Sequence, residues 1–376
     1  MTALPAFLFL FISGLGCFYL LCACAASLKF PGKARVLSRK APAITILKPL
    51  RGADSSLLSN LSSFCAQNYP GDVQLIFGVM ERDDPATLIV QQLAASFPDR
   101  KIDLVADPTI HGTNAKVSNL INMMGRACHD CLVLADSDIR VPPDYLRQIV
   151  DTLDDAGVCA VTCLYFGMTA SGLWSRLSAL AINSHFLPNA IVGLRSRLAT
   201  PCFGSTIAIG RKHLDEIGGF SAFSDCLADD YAIGAALRQK GGAVAIAPLL
   251  VAHECTEASL KELWNHELRW ARTIRTVDPR GYAGSLLTHP LPFALLALAA
   301  GALTSGLGMA ILAVSCRILL LRVIARKHGL VAPAYWLTPI RDLLSFAIFV
   351  WSYRGRSVEW KGRHYIVKPS GTLTAN

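Results

Sequence analysis

The sequence CLVLADSDIR, residues 131–140, combines a short apolar run with two aspartates that follow it at once, Asp136 and Asp138. An uninterrupted apolar run of this length is typical of a strand buried on both faces of a parallel sheet. Ligands of such sheets lie at the carboxyl ends of the strands. An aspartate there can simply cap the next helix, but two carboxylates two residues apart can also bind Mg²⁺ or Mn²⁺. We therefore expect Asp136 and Asp138 at a ligand site with a divalent cation.

The same pattern extends on both sides of this segment. On its N-terminal side, strands alternate with amphipathic helices, the strands over residues 43–50, 73–80 and 101–106 and the helices over residues 55–67, 85–97 and 114–128. This alternation predicts a doubly wound α/β sheet, with Asp54 and Asp84 as helix caps. On its C-terminal side the alternation loosens, although three segments still have the composition of strands, residues 158–165, 203–210 and 242–249.

Both ends of the chain are apolar. Of the 376 residues 52% are hydrophobic and only 17% are charged, and residues 3–28 and 291–316 contain no charged side chain. The first run is longer than the roughly 20 residues that a membrane helix needs and longer than the apolar part of a signal peptide. Five basic residues follow it between Lys29 and Lys40. Short basic flanks stay in the cytoplasm, which predicts a cytoplasmic middle domain.

We therefore expect four parts: a transmembrane anchor over residues 1–28, a cytoplasmic α/β domain over residues 29–285, a membrane region over residues 286–353, and a basic cytoplasmic tail over residues 354–376. Anchors at both ends make nucleic acid the least expected partner for the net charge of +9. Anionic lipid headgroups and phosphorylated substrates remain the candidates.

The number of C-terminal membrane helices stays open. Residues 286–324 can form one tilted helix or a hairpin folded between Gly301 and Gly308, and their length favours the hairpin. Residues 330–353 are interrupted by Arg341-Asp342, either a salt-paired interruption or the mark of an interfacial helix, which we favour. The semi-apolar residues 171–197 also have the composition of an interfacial segment.

The twelve cysteines do not point to disulfides, because the cytoplasm keeps thiols reduced. The one suggestive spacing, Cys128-His129-Asp130-Cys131, lacks a second pair of ligands for zinc. We expect Cys131 to begin a buried strand instead.

Two further clusters of chemically active side chains follow. Asp225, Asp229 and Asp230 precede Tyr231 at a predicted helix start, where they are either an N-cap cluster or part of the site. In HELRW, residues 266–270, the side chains of His266, Arg269 and Trp270 share one face of a basic helix. An arginine fork and an indole suit a phosphate and a ring, whereas the alternative is a basic face on lipid headgroups.

Seven motifs in this order and spacing resemble those of the ceramide glucosyltransferase family: LKPLRG (47–52), RDDPA (82–86), NAKVSNL (114–120), ADSDIR (135–140), FGS (203–205), ADDY (228–231) and HELRW (266–270). The resemblance covers nearly the whole chain. It implies an inverting glycosyltransferase with the GT-A fold, in a family whose near relatives include bacterial enzymes that glycosylate hopanoid polyols.

The resemblance also implies roles for single residues. Asp83 or Asp84 would bind the uridine end of a UDP-sugar, with Lys116 beside the nucleotide. Asp136 and Asp138 would be the sugar-nucleotide and metal aspartates, and Asp230 the catalytic base. The remaining residues that it implies for substrate binding are His185, His266, Arg269 and Trp270.

Two departures from the family pattern stand out. His266 replaces the usual glutamine of a QxxRW motif, and Asp138 stands where ceramide enzymes tend to have glycine. The second departure favours the hopanoid branch.

The resemblance thus implies a multi-pass protein of the bacterial inner membrane that moves glucose or N-acetylglucosamine from a UDP-sugar to a lipid hydroxyl, on ceramide or a hopanoid polyol. The rival interpretations are a processive polysaccharide synthase and a non-catalytic membrane scaffold or transporter. The sequence leaves open the sugar, the lipid, the oligomeric state and the choice between Asp83 and Asp84.

Overall fold

The computed structural model describes residues 3–30, 40–355, 357–360, 363–367 and 373–375. Most of the basic segment between Lys29 and Lys40 lies outside these residues, and so does part of the predicted basic tail. The described chain forms an α/β domain, a bundle of apolar helices and a small C-terminal sheet.

The large sheet has eight strands in the spatial order β3-β2-β1-β4-β7-β6-β8-β5. The strands are β1 (Ile44–Pro49), β2 (Val73–Val79), β3 (Lys101–Ala106), β4 (Cys131–Leu134), β5 (Ile139–Arg140), β6 (Val158–Thr169), β7 (Ile207–Gly210) and β8 (Ala243–Cys255). The C-terminal sheet has β9 (Ser357–Trp360), β10 (Arg363–Val367) and β11 (Leu373–Ala375), all antiparallel.

The helices are α1 (Ala3–Leu28), α2 (Leu57–Cys65), α3 (Ala86–Ser96), α4 (Ala115–Met124), α5 (Tyr145–Leu153), α6 (Gly172–Ala181), α7 (Leu187–Arg195), α8 (Arg211–Glu216), α9 (Asp229–Gln239), α10 (Leu260–Val277), α11 (Pro279–Gly284), α12 (Pro290–Ala299), α13 (Leu303–His328) and α14 (Thr338–Ser352). A π-helical turn, Ile182–Phe186, joins α6 to α7.

The predicted parallel half of the sheet is confirmed. β1 pairs in parallel with both β2 and β4, and β2 pairs in parallel with β3. Alternate side chains of β1 enter two different cores: Ile46 lies in one and Leu47 in the other, both fully buried. Because burial of each large apolar side chain contributes roughly 1.5–3 kcal/mol, a strand covered on both faces is strongly held.

The second half of the sheet differs from a purely parallel one. β7 runs antiparallel to β4 and to β6, so the whole sheet is mixed. The strand expected over residues 203–210 begins only at Ile207, because the chain before it, from Phe203 to Thr206, turns into the site at the strand ends. All twelve cysteines are free, and Cys131 begins β4 as predicted.

Of the two predicted helix caps, Asp54 does not cap its helix and Asp84 does bind the start of its helix. Ser56, not Asp54, occupies the N-cap of α2, and the Asp54 carbonyl accepts a bond from the Leu57 N–H instead. The Asp84 carboxylate does accept the Ala86 N–H at the start of α3, at 2.8 Å. The same carboxylate accepts the Gly52 N–H at 2.9 Å, where Gly52 has a positive φ of 72°. Asp84 therefore fixes the loop after β1.

The apolar ends of the chain pack together. Residues of α1, α7, α12 and α13 form one buried cluster, while large side chains on the other face of α1, such as Phe7 and Phe18, are exposed. Three helical stretches are long and apolar enough to cross a membrane, Leu4–Leu28, Gly172–Arg195 and Leu303–His328. The pair Pro279–Thr288 and Pro290–Ala299, bent by 60°, would make a fourth if it is one span.

The membrane region folds back where the sequence suggested. The helix break between α12 and α13 lies at residues 300–302, and Gly301 adopts a φ of 93° there, a conformation that favours glycine. Further along, Arg341 and Asp342 are almost fully buried among the helices. Their burial fits the salt-paired alternative better than a helix lying at the interface.

Candidate active site

Three charged groups meet at the carboxyl end of β4. Lys116, on the first turn of α4, places its Nζ 2.8 Å from Asp136 Oδ1 and 3.1 Å from Asp229 Oδ2. Asp136 directly follows the strand, and Asp229 begins α9. The N-cap residue of α4, Asn114, connects this helix to α9. Its side chain accepts the Val117 N–H and donates to Asp229 Oδ1 at 3.3 Å.

Gly204 lies at the centre of this cluster. A Cβ atom built on Gly204 would lie 2.9 Å from Asp136 Oδ2, 3.2 Å from Lys116 Nζ and 3.5 Å from Asp230 Oδ2. The Gly204 carbonyl accepts the Asp136 N–H, and its own N–H donates to Asp230 at 2.8 Å. Two carboxylates and one ammonium group therefore converge beside the FGS segment, at a point where a side chain larger than that of glycine would not fit.

Asp230 is held by backbone groups. Its Oδ2 accepts the Gly204 N–H and its Oδ1 accepts the Tyr231 N–H, both at 2.8 Å. Burial, and then the neighbouring charge of Asp229, raise the pKa of Asp230 to about 6, although Lys116 and the two N–H groups act in the opposite direction. A carboxylate with such a pKa can accept a proton near neutral pH.

The charge of Lys116 is fixed by its neighbours. Burial alone would lower its pKa, but the carboxylates of Asp136, Asp229 and Asp230 together raise the pKa well above its ordinary value. Lys116 therefore stays a cation in the site. Asp225, by contrast, lies outside this group: it accepts the N–H and the hydroxyl of Thr113 and so holds the loop before α4.

Lys48 is a site residue that the sequence analysis missed. It belongs to β1, is fully buried, and donates from Nζ to the Asp136 carbonyl oxygen at 2.8 Å. The same ammonium group lies 3.6 Å from the centroid of the Phe64 ring. Burial lowers the pKa of Lys48 to about 7, against the attraction of Asp138 and Asp136. A lysine within an otherwise apolar strand was the available signal.

Asp138 and His253 provide the donors that fit a divalent cation. The Oδ1 atom of Asp138 is buried without a hydrogen-bond partner, and His253 Nδ1 lies 3.6 Å from it. The pairing of β5 with β8 brings them together, with Ile139 opposite His253. Across the described ranges no group of three or more His, Cys, Asp or Glu side chains is gathered for metal binding. Any cation here would need further oxygen ligands from a substrate.

The HELRW segment lies on α10, as predicted. A capping box begins this helix: Ser259 accepts the Glu262 N–H, and Glu262 accepts the Ala258 N–H. Arg269 is half-buried; burial lowers its pKa, while the charges of Asp136 and Asp138 act in the opposite direction. Arg269 therefore interacts electrostatically with the two aspartates that follow β4.

His266 and Trp270 form the wall beside Arg269. Their rings lie 4.2 Å apart edge to face, and Trp270 is also 5.6 Å from the His253 ring. His266 Nδ1 lies 2.6 Å from an oxygen of Glu257, a buried residue that sequence reasoning did not select. Burial lowers the pKa of His266, although Glu257 opposes this shift. A neutral imidazole with Nδ1 protonated is the state that this pairing favours.

Three predicted residues lie outside the central cluster. Asp83 is exposed after β2, whereas the carboxylate of Asp84 is engaged by the Gly52 and Ala86 N–H groups. His185 lies in the π-helical turn and contacts Asp342 of α14 at 3.1 Å. Its neighbour Phe186 stacks on Tyr165 at 4.3 Å, and Tyr165 in turn lies 5.4 Å from His253. The π-helical turn therefore borders the site through its aromatic side chain.

Comparison with known proteins gives a family match over most of the chain. The family model of glycosyl transferase family 21 matches residues 8–373. Ceramide glucosyltransferase 1 of Caenorhabditis elegans is 24% identical over 233 residues, which are 61% of this chain and 49% of that protein. Ceramide glucosyltransferase 3 of the same organism is 25% identical over 258 residues, 66% of this chain and 53% of that protein. The chain thus spans about half the length of these relatives.

One solved structure shares the fold. The mannosyltransferase PcManGT from Pyrobaculum calidifontis, in complex with GDP-Man and Mn²⁺, has a TM-score of 0.56 and 20% identity, covering 94% of this chain and 99% of that one. The likeness confirms the GT-A-type α/β fold that the motifs imply.

Proposed function

Because the chain belongs to glycosyl transferase family 21, we propose that it is a membrane-bound inverting glycosyltransferase. It moves a hexose, glucose or N-acetylglucosamine, from a UDP-sugar to a hydroxyl group of a membrane lipid. The acceptor is a ceramide or a hopanoid polyol, and Asp138, at a position where ceramide enzymes tend to have glycine, favours the hopanoid.

One observation carries this proposal: Lys116, Asp136 and Asp230 converge within 3.5 Å of a single point beside Gly204. Lys116, at the start of α4, supplies positive charge for a diphosphate that departs with negative charge, at the carboxyl end of β4 where ligands of such sheets bind. The raised pKa of Asp230, about 6, suits proton abstraction from an alcohol.

The reaction is a single displacement. The acceptor oxygen forms a bond to the anomeric carbon while the bond from that carbon to the UDP oxygen breaks, and the hydroxyl proton passes to Asp230. The anomeric centre is inverted, so an α-linked donor gives a β-glycoside. No residue forms a glycosyl intermediate.

The charge that leaves with UDP is stabilised by residues on two elements. Lys116 on α4 and Arg269 on α10 both interact with Asp136 and supply positive charge. Asp136 and Asp138 would hold Mg²⁺ or Mn²⁺ together with oxygens of the diphosphate, with His253 beside Asp138, and the cation would supply positive charge there. Asp83, the exposed member of its pair, contacts the uridine end, and His266 and Trp270 contact the acceptor.

The location follows from the apolar helices. Leu4–Leu28 and Leu303–His328, which flank the α/β domain and are suited to crossing a membrane, support a multi-pass protein. The basic residues after the first stretch are the ground for placing the catalytic domain on the cytoplasmic face, in a bacterial inner membrane. The division into residues 1–28, 29–285, 286–353 and 354–376 is part of the same proposal. His185 contributes to the acceptor side from the π-helical turn.

The test uses the full chain purified in lipid nanodiscs. Labelled UDP-glucose and UDP-N-acetylglucosamine are each offered with ceramide and with a hopanoid polyol, and the products are separated by thin-layer chromatography. We expect one labelled glycolipid with wild-type protein and with Asp215→Asn, a matched control at an exposed position on α8. We expect a rate about 100- to 10,000-fold lower with Asp230→Asn.

The outcomes separate the rival functions. A ladder of sugar polymers instead of a single glycolipid indicates a processive synthase. Complementation of a deletion strain by Asp230→Asn at the wild-type level indicates a scaffold or transporter, and either result overturns the proposal.

A further inference from the structure

Helix α14 carries two adjacent charged residues inside an apolar bundle. Arg341 is 1% exposed and Asp342 is fully buried, and Arg317 of α13 is also 1% exposed. Arg317 and Arg341 are the two largest fully buried side chains of the described residues. Charges in such surroundings are costly unless they are paired, so their partners are informative.

Arg341 connects α14 to the helix of the HELRW motif. Its Nη1 and Nη2 atoms bind the two carboxylate oxygens of Glu267 at 2.7 and 2.8 Å, a bidentate pair. Its Nη1 also donates to the Leu177 carbonyl of α6, and its Nε donates to Ser345 of α14. Arg341 thus joins three helices through one guanidinium group.

Asp342 connects the same helix to the π-helical turn. Its Oδ1 lies 3.0 Å from Arg317 Nε and 3.1 Å from His185 Nε2. Arg317 in turn donates to the Ser184 carbonyl within that turn at 2.7 Å and to the Thr288 carbonyl before α12. Asp342 thus fixes the turn that contains His185 against α13.

Both connected elements border the site. Glu267 lies two residues before Arg269, on the helix that presents Arg269 and Trp270 to the aspartates. His185 lies beside Phe186, whose ring stacks on Tyr165. Consecutive residues of one helix therefore fix the position of both walls.

We propose that Arg341 and Asp342 are positioning residues that hold α10 and the π-helical turn at a set separation. Arg341 acts through Glu267 on α10, which carries Arg269 for the donor as well as His266 and Trp270 for the acceptor. Asp342 acts through His185 on the acceptor side. This inference rests on the proposed transferase function for its kinetic consequences. Its structural consequence, the placement of α10, does not depend on which substrates the enzyme uses.

The first test separates positioning from simple stabilisation. Removing one member of a buried ion pair leaves an uncompensated charge, whereas neutralising both members is often harmless to stability. We therefore compare Glu267→Gln/Arg341→Met with wild type and with Arg322→Met, a control that removes an exposed arginine of α13. All three proteins should elute as folded species with similar melting temperatures.

The kinetic expectation differs for the two halves of the pair. For Glu267→Gln/Arg341→Met we expect kcat/KM for the UDP-sugar to fall about 100-fold, the loss expected when a catalytic group shifts by about 1 Å. For Asp342→Asn we expect the lipid KM to rise about tenfold with the UDP-sugar KM unchanged, since His185 and Arg317 both lose their charged partner and the π-helical turn is no longer fixed. Reversing the pair, Glu267→Arg/Arg341→Glu, should recover about tenfold over Glu267→Arg alone.

A second readout needs no substrate. Amide hydrogen exchange along α10 should become faster in Glu267→Gln/Arg341→Met and stay unchanged in Arg322→Met, with β1 to β4 unaffected in both. If wild-type protein transfers no sugar to any lipid, the proposed function is wrong. The amide hydrogen exchange rates of α10 still test whether Arg341 positions that helix. Wild-type kinetics together with wild-type exchange in the neutral double variant would overturn the inference.

Discussion

At the scale of single residues, Asp229 and Asp230 show how adjacent carboxylates acquire different properties. Asp229 is buried and forms an ion pair with Lys116, while Asp230 is hydrogen-bonded by two backbone N–H groups, is attracted by Lys116 and is repelled by Asp229. Asp229 therefore has a structural role, whereas Asp230 has a raised pKa and can accept a proton. This division is the physical ground for assigning proton abstraction to Asp230.

The pH profile tests that assignment. Asp230 accepts a proton only when it is ionised, and its raised pKa is about 6. We expect kcat/KM to be constant well above pH 6 and to fall about tenfold for each pH unit below it. Initial rates between pH 5 and 8 measure the profile. A rate that stays flat down to pH 5 contradicts this role of Asp230.

His266 gives the second prediction. Glu257 holds its Nδ1 at 2.6 Å, which leaves Nε2 for an acceptor contact. Because an amide can also accept and donate, His266→Gln should be tolerated, whereas His266→Leu should raise the lipid KM more than the UDP-sugar KM. Steady-state kinetics with each substrate varied in turn measure both changes.

Arg269→Lys is the control for this experiment. Lysine keeps the charge but loses the planar fork, so the UDP-sugar step should weaken by about 1.5–3 kcal/mol. Wild-type kinetics for both His266→Leu and Arg269→Lys would remove HELRW from the active site.

Gly204 gives the third prediction. In Gly204→Ala the new methyl group lies 2.9 Å from Asp136 Oδ2, closer than carbon and oxygen normally approach, so the carboxylate must shift. We expect kcat/KM to fall about 10- to 100-fold with little change in melting temperature. Gly125→Ala, where no atom lies within 4 Å, is the matched control and should behave as wild type. Equal activity of the two variants would place the reacting groups elsewhere.

At the scale of elements, apolar runs predict β1 to β4 to within one residue at each end. For β1, β2 and β4 the prediction succeeds because burial on both faces leaves a local signature, whereas β3, at the edge of the sheet, is only half-buried. The antiparallel insertion of β7 has no such signature, since it depends on contacts between residues about 75 positions apart along the chain, such as Val133 and Ala208. β5, with two residues, is too short to produce a pattern.

The same distinction explains which site residues the sequence reveals. Asp136, Lys116 and Asp230 follow strands or begin helices, and the motif order identifies them. His253 reaches Asp138 only through the pairing of β5 with β8, and Glu257 reaches His266 across a loop. For His253 the available signal was a histidine-glutamate pair within an apolar strand.

The contact between Asp138, just before β5, and His253 of β8 gives the fourth prediction, which concerns the metal. Asp138 and His253 fit a divalent cation, so activity should require Mg²⁺ or Mn²⁺ and disappear with excess chelator. Asp138→Ala should lower kcat more than it raises the UDP-sugar KM, because the missing charge is needed most in the transition state. Rates measured after dialysis and metal addition test both statements. Full turnover in excess chelator contradicts the assignment.

At the scale of the whole molecule, the α/β domain and the apolar bundle are packed against each other. They contribute side chains to a common buried cluster and are not merely joined by a linker. The buried cluster of α1 and α13 includes Leu164 from β6, and Gly167 of the same strand approaches Ala179 of α6 closely enough that an added Cβ would meet its Cα at 2.6 Å. The sheet therefore packs directly on the apolar helices, without a spacer between them.

This arrangement gives the last prediction, on orientation. The basic residues between Lys29 and Lys40 should remain in the cytoplasm, which places the α/β domain there as well. Cys128 is an exposed thiol of that domain, so a membrane-impermeant maleimide should label it in inside-out vesicles and not in intact cells. Loss of labelling in Cys128→Ser shows that Cys128 is the labelled residue. Added protease should cut the domain in inside-out vesicles but not in intact cells. Labelling of Cys128 in intact cells would reverse the topology and place the site on the face opposite to the cytoplasmic supply of UDP-sugar.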